Sequence, residues 1–443
     1  MERYTVISAR RRAMRGSRLV KDPFDIFRQH ESPATKTFAL TQRPPLFVSG
    51  AGSWLVDDQG NRYLDFACGS GTTLLGHNHP AVRLAVEQQL AAGLLHIGPH
   101  FHTASQQRLF HRLAEILPPH LDRYHPATNG SEATEVALKI AMHATGRRRF
   151  LVFEGGYHGR TLGALGVSAE RGANARFGPL FPEIDVLPFP TLAQSDLAIP
   201  ELRARAANTV RDAMLSFAGP YAGVIVEAVQ ATAGVRIAPP EALVAIAEVA
   251  RERGWPLIVD EVFTAFGRTG HLLHSDALGM QADMVILAKC FGGGIPTALV
   301  AGRRSWIDRV PHGAQSSTFQ LHPLAAATSL AMLDVFVGNA LGDRAQAISH
   351  RFEARRETFM ELAAVNAVRG IGALWGVEIA EAQSIAAPLT KSIRRAALDS
   401  GLITWECGLH GNVIGLVPPL TATDAELDLG VDRLLAAIRS TPR

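Results

Sequence analysis

The chain has 443 residues, 47% of them hydrophobic and 19% charged, with a formal net charge of +3. That is an ordinary globular composition, long enough for two or three domains around a sizeable core. The charge is too small to argue for a nucleic-acid partner, and no apolar run reaches the roughly 18 residues of a membrane span.

From the N-terminus, Arg10, Arg11, Arg12, Arg15, Arg18 and Lys21 precede any nearby acid. This reads as a solvated arm rather than a transit peptide or a nucleic-acid or membrane arm. No apolar core follows it, so a secretory signal is not expected. Leu46 to Phe66 reads as extended strands with a turn at Asp58-Gln59-Gly60-Asn61. His96, His100 and His102 could touch a substrate; a metal site is not expected from them. Between about Leu121 and Val300, short apolar runs alternate with helical patterns. Phe150–Phe153, Val224–Val226, Leu257–Val259 and Met284–Leu287 suit strands buried on both faces of a mostly parallel sheet. Pro239–Arg253 between two of them carries an apolar helical face of Leu243, Ile246, Val249 and Ala250. Thr423 and Glu426 form a capping box ahead of a helix with the stripe Leu427, Val431, Leu434 and Ile438. The expected architecture is α/β. An arm and part of a small domain occupy 1–75, a large domain 76–330, and the rest of the small domain 331–443. The three cysteines, Cys68, Cys290 and Cys407, are too few and uneven for a disulfide framework and point to a reducing compartment, the cytoplasm.

In an open α/β sheet, ligands gather past the carboxyl ends of the strands. Asp260-Glu261-Val262 follows one apolar run and Ala288-Lys289-Cys290 another. Glu154-Gly155-Gly156-Tyr157-His158-Gly159 follows a third, and upstream Asn129-Gly130-Ser131-Glu132 opens a helical pattern. Each piece alone is weak: a lysine after a strand is usually a solvated end, and Gly-Ser before a helix is usually a cap. Together they are what a pyridoxal 5′-phosphate (PLP) site needs. Lys289 would form a Schiff base with the aldehyde, and Asp260 would keep the pyridine nitrogen protonated. Tyr157 would stack on the ring, and the helix start would hold the phosphate.

These residues also resemble a known family, the class III (ω-type) aminotransferases of PLP fold type I, from near Leu46 to about Leu435. Asp57 to Pro80 looks like the family's opening, and Asn129 to Glu135 like its phosphate-binding helix start. Tyr157-His158-Gly159-Arg160 resembles its aromatic-His-Gly motif. Asp260-Glu261-Val262 with Gly267-Arg268-Thr269-Gly270 matches its most specific signature, and Lys289 stands 29 residues after Asp260, as the family's lysine does. Ser317-Thr318-Phe319 with His322-Pro323-Leu324 resembles the segment that reaches a neighbouring subunit's phosphate. The resemblance implies a fold type I large domain and a smaller α+β domain built from both chain ends. It also implies a homodimer with shared active sites. The catalytic residues would be Lys289 and Asp260, with Gly130, Ser131, Tyr157, His158, Glu227, Val262 and Thr318 as further cofactor contacts.

The departures bear on substrate. The family usually has Glu-Pro-x-Gln-Gly-Glu-Gly-Gly where this chain has Glu227 to Gly234, so its second glutamate is Thr232 here. The arginine that usually precedes Pro-Pro-Leu is Gly415. In many members those two residues pair, and the arginine clamps an α-carboxylate. Losing the arginine alone would strand a buried glutamate, but both are gone. Phe263 replaces a glutamine that contacts the cofactor's ring hydroxyl, and Cys290 replaces a common glycine. Thr232, Gly415 and His100 are therefore the candidate substrate positions.

The implied activity is transfer of an amino group between an amine donor, L-glutamate among the candidates, and a ketone or aldehyde acceptor. An amino sugar or aminocyclitol, a terminal amine or a biosynthetic intermediate fits better than a plain α-amino acid. Lys289 would act as general base and acid. Proton return to the same substrate carbon would instead make an epimerase or racemase. A non-catalytic protein of the fold would be free to lose Lys289, which is present.

Overall fold

A computed structural model describes residues 22–169, 177, 180–379 and 383–442. The basic segment Arg10–Lys21 lies outside the described residues. Among the described residues, 22–46 form one compact unit and Phe47 onward another. In the first, the short helix Asp25–His30 is fixed by Arg28, which pairs with Asp22 at 2.9 Å and Asp25 at 3.1 Å.

The second unit is built on a seven-stranded sheet. Its strands in spatial order are Arg123–Ala127, Ala298–Gly302, Met284–Leu287, Leu257–Asp260, Tyr221–Glu227, Arg149–Phe153 and Ile184–Leu187. Only Ala298–Gly302 runs antiparallel to its neighbours, so the sheet is mixed and mostly parallel, as expected. Every residue of Tyr221–Glu227, Leu257–Asp260 and Met284–Leu287 is buried, which explains their uninterrupted apolar spelling. The helix Gly130–Thr145 covers one face with Ala133, Val136, Ala137, Ile140 and Ala141, packed on Ile225, Ile258, Ile286 and Val300. The helix Pro240–Glu252 buries the predicted Leu243, Ile246, Val249 and Ala250 in a second cluster with Val224, Val226 and Val259. At roughly 1.5–3 kcal/mol per fully buried aliphatic side chain, these two layers dominate the stability of the sheet.

Strand register sets the chemistry. Asp260 pairs with Glu227 on one side and with Ile286 on the other, so the acids end their strands side by side. Lys289 begins two residues beyond Leu287 on the next strand.

Two small sheets complete the unit. The antiparallel strands Phe47–Ala51, Trp54–Asp57 and Arg62–Asp65 are joined by Leu402–Ile403, which lies parallel to the third. The two ends of the chain thus meet in one sheet. The other small sheet orders Val365–Ile371, Leu374–Ile379, Val413–Leu416 and Trp405–Cys407. The capping box of Thr423 and Glu426 starts the helix Asp424–Ser440 as predicted. Its acid has a second task that the box does not reveal. Glu426 also accepts from the Trp54 indole at 2.6 Å and the Ser53 hydroxyl at 3.2 Å, which ties the helix to the N-terminal hairpin. No single helix among the described residues is long and apolar enough to cross a membrane.

Candidate active site

A cavity of about 330 Å³ opens at the carboxyl edge of the large sheet. Its walls include Gly130, Ser131, Tyr157, His158, Glu227, Thr232, Asp260, Val262 and Lys289. The sequence therefore brings together nearly every residue it singled out.

At one end stands the helix Gly130–Thr145. Asn129 caps it through its side-chain oxygen, which accepts from Glu132 N at 3.0 Å. The N–H groups of Gly130 and Ser131 have no intrahelical acceptor and carry the positive end of the helix dipole. The loop after Tyr157 lies directly on this start: Arg160 N donates to Ser131 Oγ at 3.1 Å. Gly159 permits that approach. Its φ is +139°, and a Cβ there would stand 2.5 Å from Ser131 Oγ.

In the middle lies Asp260. Its Oδ1 accepts from Val262 N at 3.0 Å, and its Oδ2 is 2.8 Å from His158 Nδ1. A carboxylate can only accept, so Nδ1 carries the proton. His158 is itself fixed: its N donates to Ser168 Oγ at 2.9 Å, and its carbonyl accepts from Thr134 at 2.8 Å. His158 thus buttresses Asp260 from within the core rather than presenting a free ring. Glu261, the next residue, points elsewhere. It accepts from Thr264, from His274 N and twice from Ser275, capping a short helix. Of the Asp-Glu pair, only the aspartate belongs to the cavity.

Glu227 accepts from Tyr157 N at 2.9 Å and orders the segment that carries the aromatic ring. Burial pushes its carboxyl well above the usual range; nearby Asp260 adds to this, while His158 and Lys289 oppose it. Burial likewise lowers the Lys289 ammonium, with Asp260 and Glu227 opposing. Both shifts favour the neutral forms in a closed, low-dielectric space. Lys289 sits at φ +49°, a left-handed backbone that costs a non-glycine residue about 1–2 kcal/mol and that the surrounding packing must hold. Its amine lies 4.3 Å from the centroid of the Phe263 ring. Cys290, whose role the sequence left open, is buried with its thiol near Ala265 O, and burial raises it to about 11, so it is an inert packing group.

Three predicted positions lie outside the cavity walls. Thr318 and His100 are exposed on this chain. Gly415 is covered by Trp405: a Cβ at Gly415 would stand 2.8 Å from the indole Cε3. His96 stacks on His322 at 5.4 Å and lies 4.9 Å from Phe319.

Sequence reasoning missed two features. Thr297 lines the cavity, and its buried hydroxyl has no partner. The turn Cys68–Gly71 has four consecutive residues at positive φ and leads to Thr72 on the cavity wall. Asp65 holds that turn by accepting from the N–H groups of Ala67, Cys68 and Gly69, and His77 Nε2 locks the carboxylate at 2.9 Å. The left-handed run has no clear spelling beyond Gly69 and Gly71, and Thr297 belongs to no motif.

The class III aminotransferase family model matches residues 39–438. The chain belongs to this family. It is 32% identical to the acetylornithine aminotransferase of Archaeoglobus fulgidus, over 89% of this chain and 96% of that protein. It is 33% identical to the diaminobutyrate–2-oxoglutarate aminotransferase of Rhizobium meliloti, over 90% and 89%. Among solved structures it resembles an (S)-enantioselective ω-transaminase from Thermomicrobium roseum, with a TM-score of 0.85 and 27% identity over 94% and 98% of the two chains. It also resembles an amine transaminase from an uncultivated Pseudomonas species in its PLP-bound form, with a TM-score of 0.84 and 27% identity over 93% and 98%. The fold is PLP fold type I, the activity is that of an aminotransferase, and the cofactor is PLP.

The cavity fits that cofactor on its own evidence. It offers free helix amides and an unpartnered Thr297 hydroxyl, donors suited to a phosphate. It also offers a buried acid held by a histidine and a lysine whose amine is driven toward neutrality.

Proposed function

We propose that this aminotransferase moves an amino group between an amine and a ketone or aldehyde that are not a plain α-amino acid and α-keto acid pair. Bound PLP supplies an aldehyde that condenses with amines and a ring that stabilises the negative charge left when a neighbouring C–H bond breaks. In this reading Lys289 would hold the cofactor, and its Nζ would take the proton from the substrate carbon and deliver it elsewhere. Low local dielectric favours the unprotonated amine needed for the first of those tasks. Asp260, oriented by His158, holds the proton of the ring nitrogen. Gly130, Ser131 and Thr297 would bind the phosphate. Tyr157 and Val262, both on the cavity wall, would pack against the ring, and Glu227 steadies Tyr157 through its backbone.

The observation that carries the substrate reading is that no arginine lines the cavity among the described residues. A substrate carboxylate buried there would lack a bidentate partner, and an unpaired buried charge is costly. The Rhizobium relative takes 2-oxoglutarate by its name, so a glutamate donor is the informative probe.

We further infer a cytoplasmic homodimer with shared active sites. Exposed Leu94, Leu95, Phe101 and Phe319 lie on the two segments that His96 and His322 join, an apolar surface suited to a second copy. Thr318 would reach the partner's phosphate from this surface.

The test is the visible absorbance of the PLP-loaded protein on adding L-glutamate, with 2-oxoglutarate assayed alongside. A band that stays with glutamate but disappears with a primary amine lacking an α-carboxylate is expected. Rapid, stoichiometric release of 2-oxoglutarate would overturn the substrate reading.

A further inference from the structure

Beside the Lys289 amine, one wall of the cavity is the ring of Phe263. Phe263 is buried and lines the cavity, and its ring lies 4.8 Å from that of Trp405 at a tilt of 31°. Each ring fits because a glycine lies beneath it. Gly71 is at φ +84°, and a Cβ there would be 2.8 Å from Phe263 Cζ. Gly415 faces Trp405 in strand register, and its Cβ would be 2.8 Å from Trp405 Cε3. Val229, Ala231, Leu374 and Val417 pack behind the pair in one apolar cluster. The Asp65 clamp fixes the turn carrying Gly71, so the wall is braced from both ends of the chain.

We propose that Phe263, with Trp405 packed against its ring, is the specificity-determining wall of this enzyme and selects amines whose reacting carbon bears an apolar, preferably aromatic, substituent. This rests on the aminotransferase reading above and deepens it. The reacting carbon must come within proton-transfer reach of Lys289 Nζ, and that amine stands 4.3 Å from the Phe263 ring centroid. A substituent on that carbon pointing toward Phe263 meets a ring that offers no hydrogen-bond donor. A hydroxyl or carboxylate there loses its water without replacement. An aryl or alkyl group instead gains burial and ring contacts. The amino sugars and aminocyclitols that the sequence reading favoured are therefore disfavoured.

The experiment follows bleaching of the visible band of the PLP-loaded enzyme in single turnover. It compares an arylalkyl primary amine with an amino sugar of similar size, in wild type, Phe263→Leu, Phe263→Gln and Gly415→Ala. Wild type should favour the arylalkyl amine by about tenfold or more in kcat/KM. Phe263→Leu keeps an apolar wall and should retain the preference. Phe263→Gln, and Gly415→Ala through displacement of Trp405, should shrink the ratio severalfold while the starting absorbance band persists. That band also shows that each variant is folded and loaded. Equal rates for the two amines in wild type, or a ratio unmoved in both Phe263→Gln and Gly415→Ala, would overturn the wall. Bleaching by no amine at all, from a normal starting band, would instead sink the aminotransferase reading on which the wall rests.

Discussion

The Asp260 end of the cavity and the Phe263 end stand on the same sheet edge, yet different forces hold them. Around Asp260, polar groups are fixed by hydrogen bonds to other fixed groups: Ser168 and Thr134 hold His158, His158 holds Asp260, and Glu227 holds Tyr157. Around Phe263, two rings are wedged against glycines within an apolar cluster. The first arrangement serves a cofactor that is the same whatever the substrate. The second leaves the substrate to be chosen by shape and desolvation, which a few side chains can retune without disturbing the first.

That contrast can be broken most sharply at its polar end. Lys289→Ala should lower turnover by about 10²–10⁴-fold or more with every amine tested, read as single-turnover bleaching with restored cofactor. Asp260→Asn should cost on the order of 10²-fold in kcat. His158→Asn, acting only by positioning, should cost about tenfold and shift the pH profile of the absorbance band, which a purely structural defect would leave in place. Gly159→Ala should loosen the cofactor and lower stability by about 1–3 kcal/mol, because it forces apart the loop and the helix start. It is read as thermal midpoint and as PLP dissociation.

A pH test sharpens the comparison further. Glu227 has a carboxyl raised above its unfolded value, so the folded cofactor-free protein binds more protons than the unfolded chain just above pH 4.5. Its contribution to stability is therefore full below about pH 4.5 and fades as pH rises through the folded pKa, about 7. Glu227→Gln should flatten that decline in a denaturant series across pH 5–8; an unchanged slope would remove Glu227 from the account. Thr297→Val should have the smallest effect, a threefold to tenfold weaker hold on PLP, equivalent to about 0.5–1.5 kcal/mol, with amine preference unaltered.

The two ends also differed in how far the sequence revealed them. Strand ends spelled Leu-Ile-Val-Asp and Met-Val-Ile-Leu-Ala-Lys announce a buried strand followed by a functional group, because burial on both faces forbids polar residues until the edge is reached. The helix start is equally plain from Asn-Gly-Ser. The wall was not readable, since Phe263, Trp405, Gly71 and Gly415 come from four separate segments joined only by tertiary packing. The sequence showed that Gly415 lacked an arginine's side chain; only the structure showed an indole in the space. Thr297 was hidden for a similar reason, as a buried unpartnered hydroxyl is a property of surroundings and not of spelling.

The central claim is that Lys289 carries the cofactor in this cavity. Within the unit that holds the cavity, the other described lysines, Lys139 and Lys391, do not line it. Borohydride reduction of the PLP-loaded protein followed by peptide mass mapping tests the point directly. A single pyridoxyl adduct on the peptide containing Lys289, absent from Lys289→Ala, is the predicted result. An adduct on any other lysine, or one that persists at equal yield in Lys289→Ala, would contradict it.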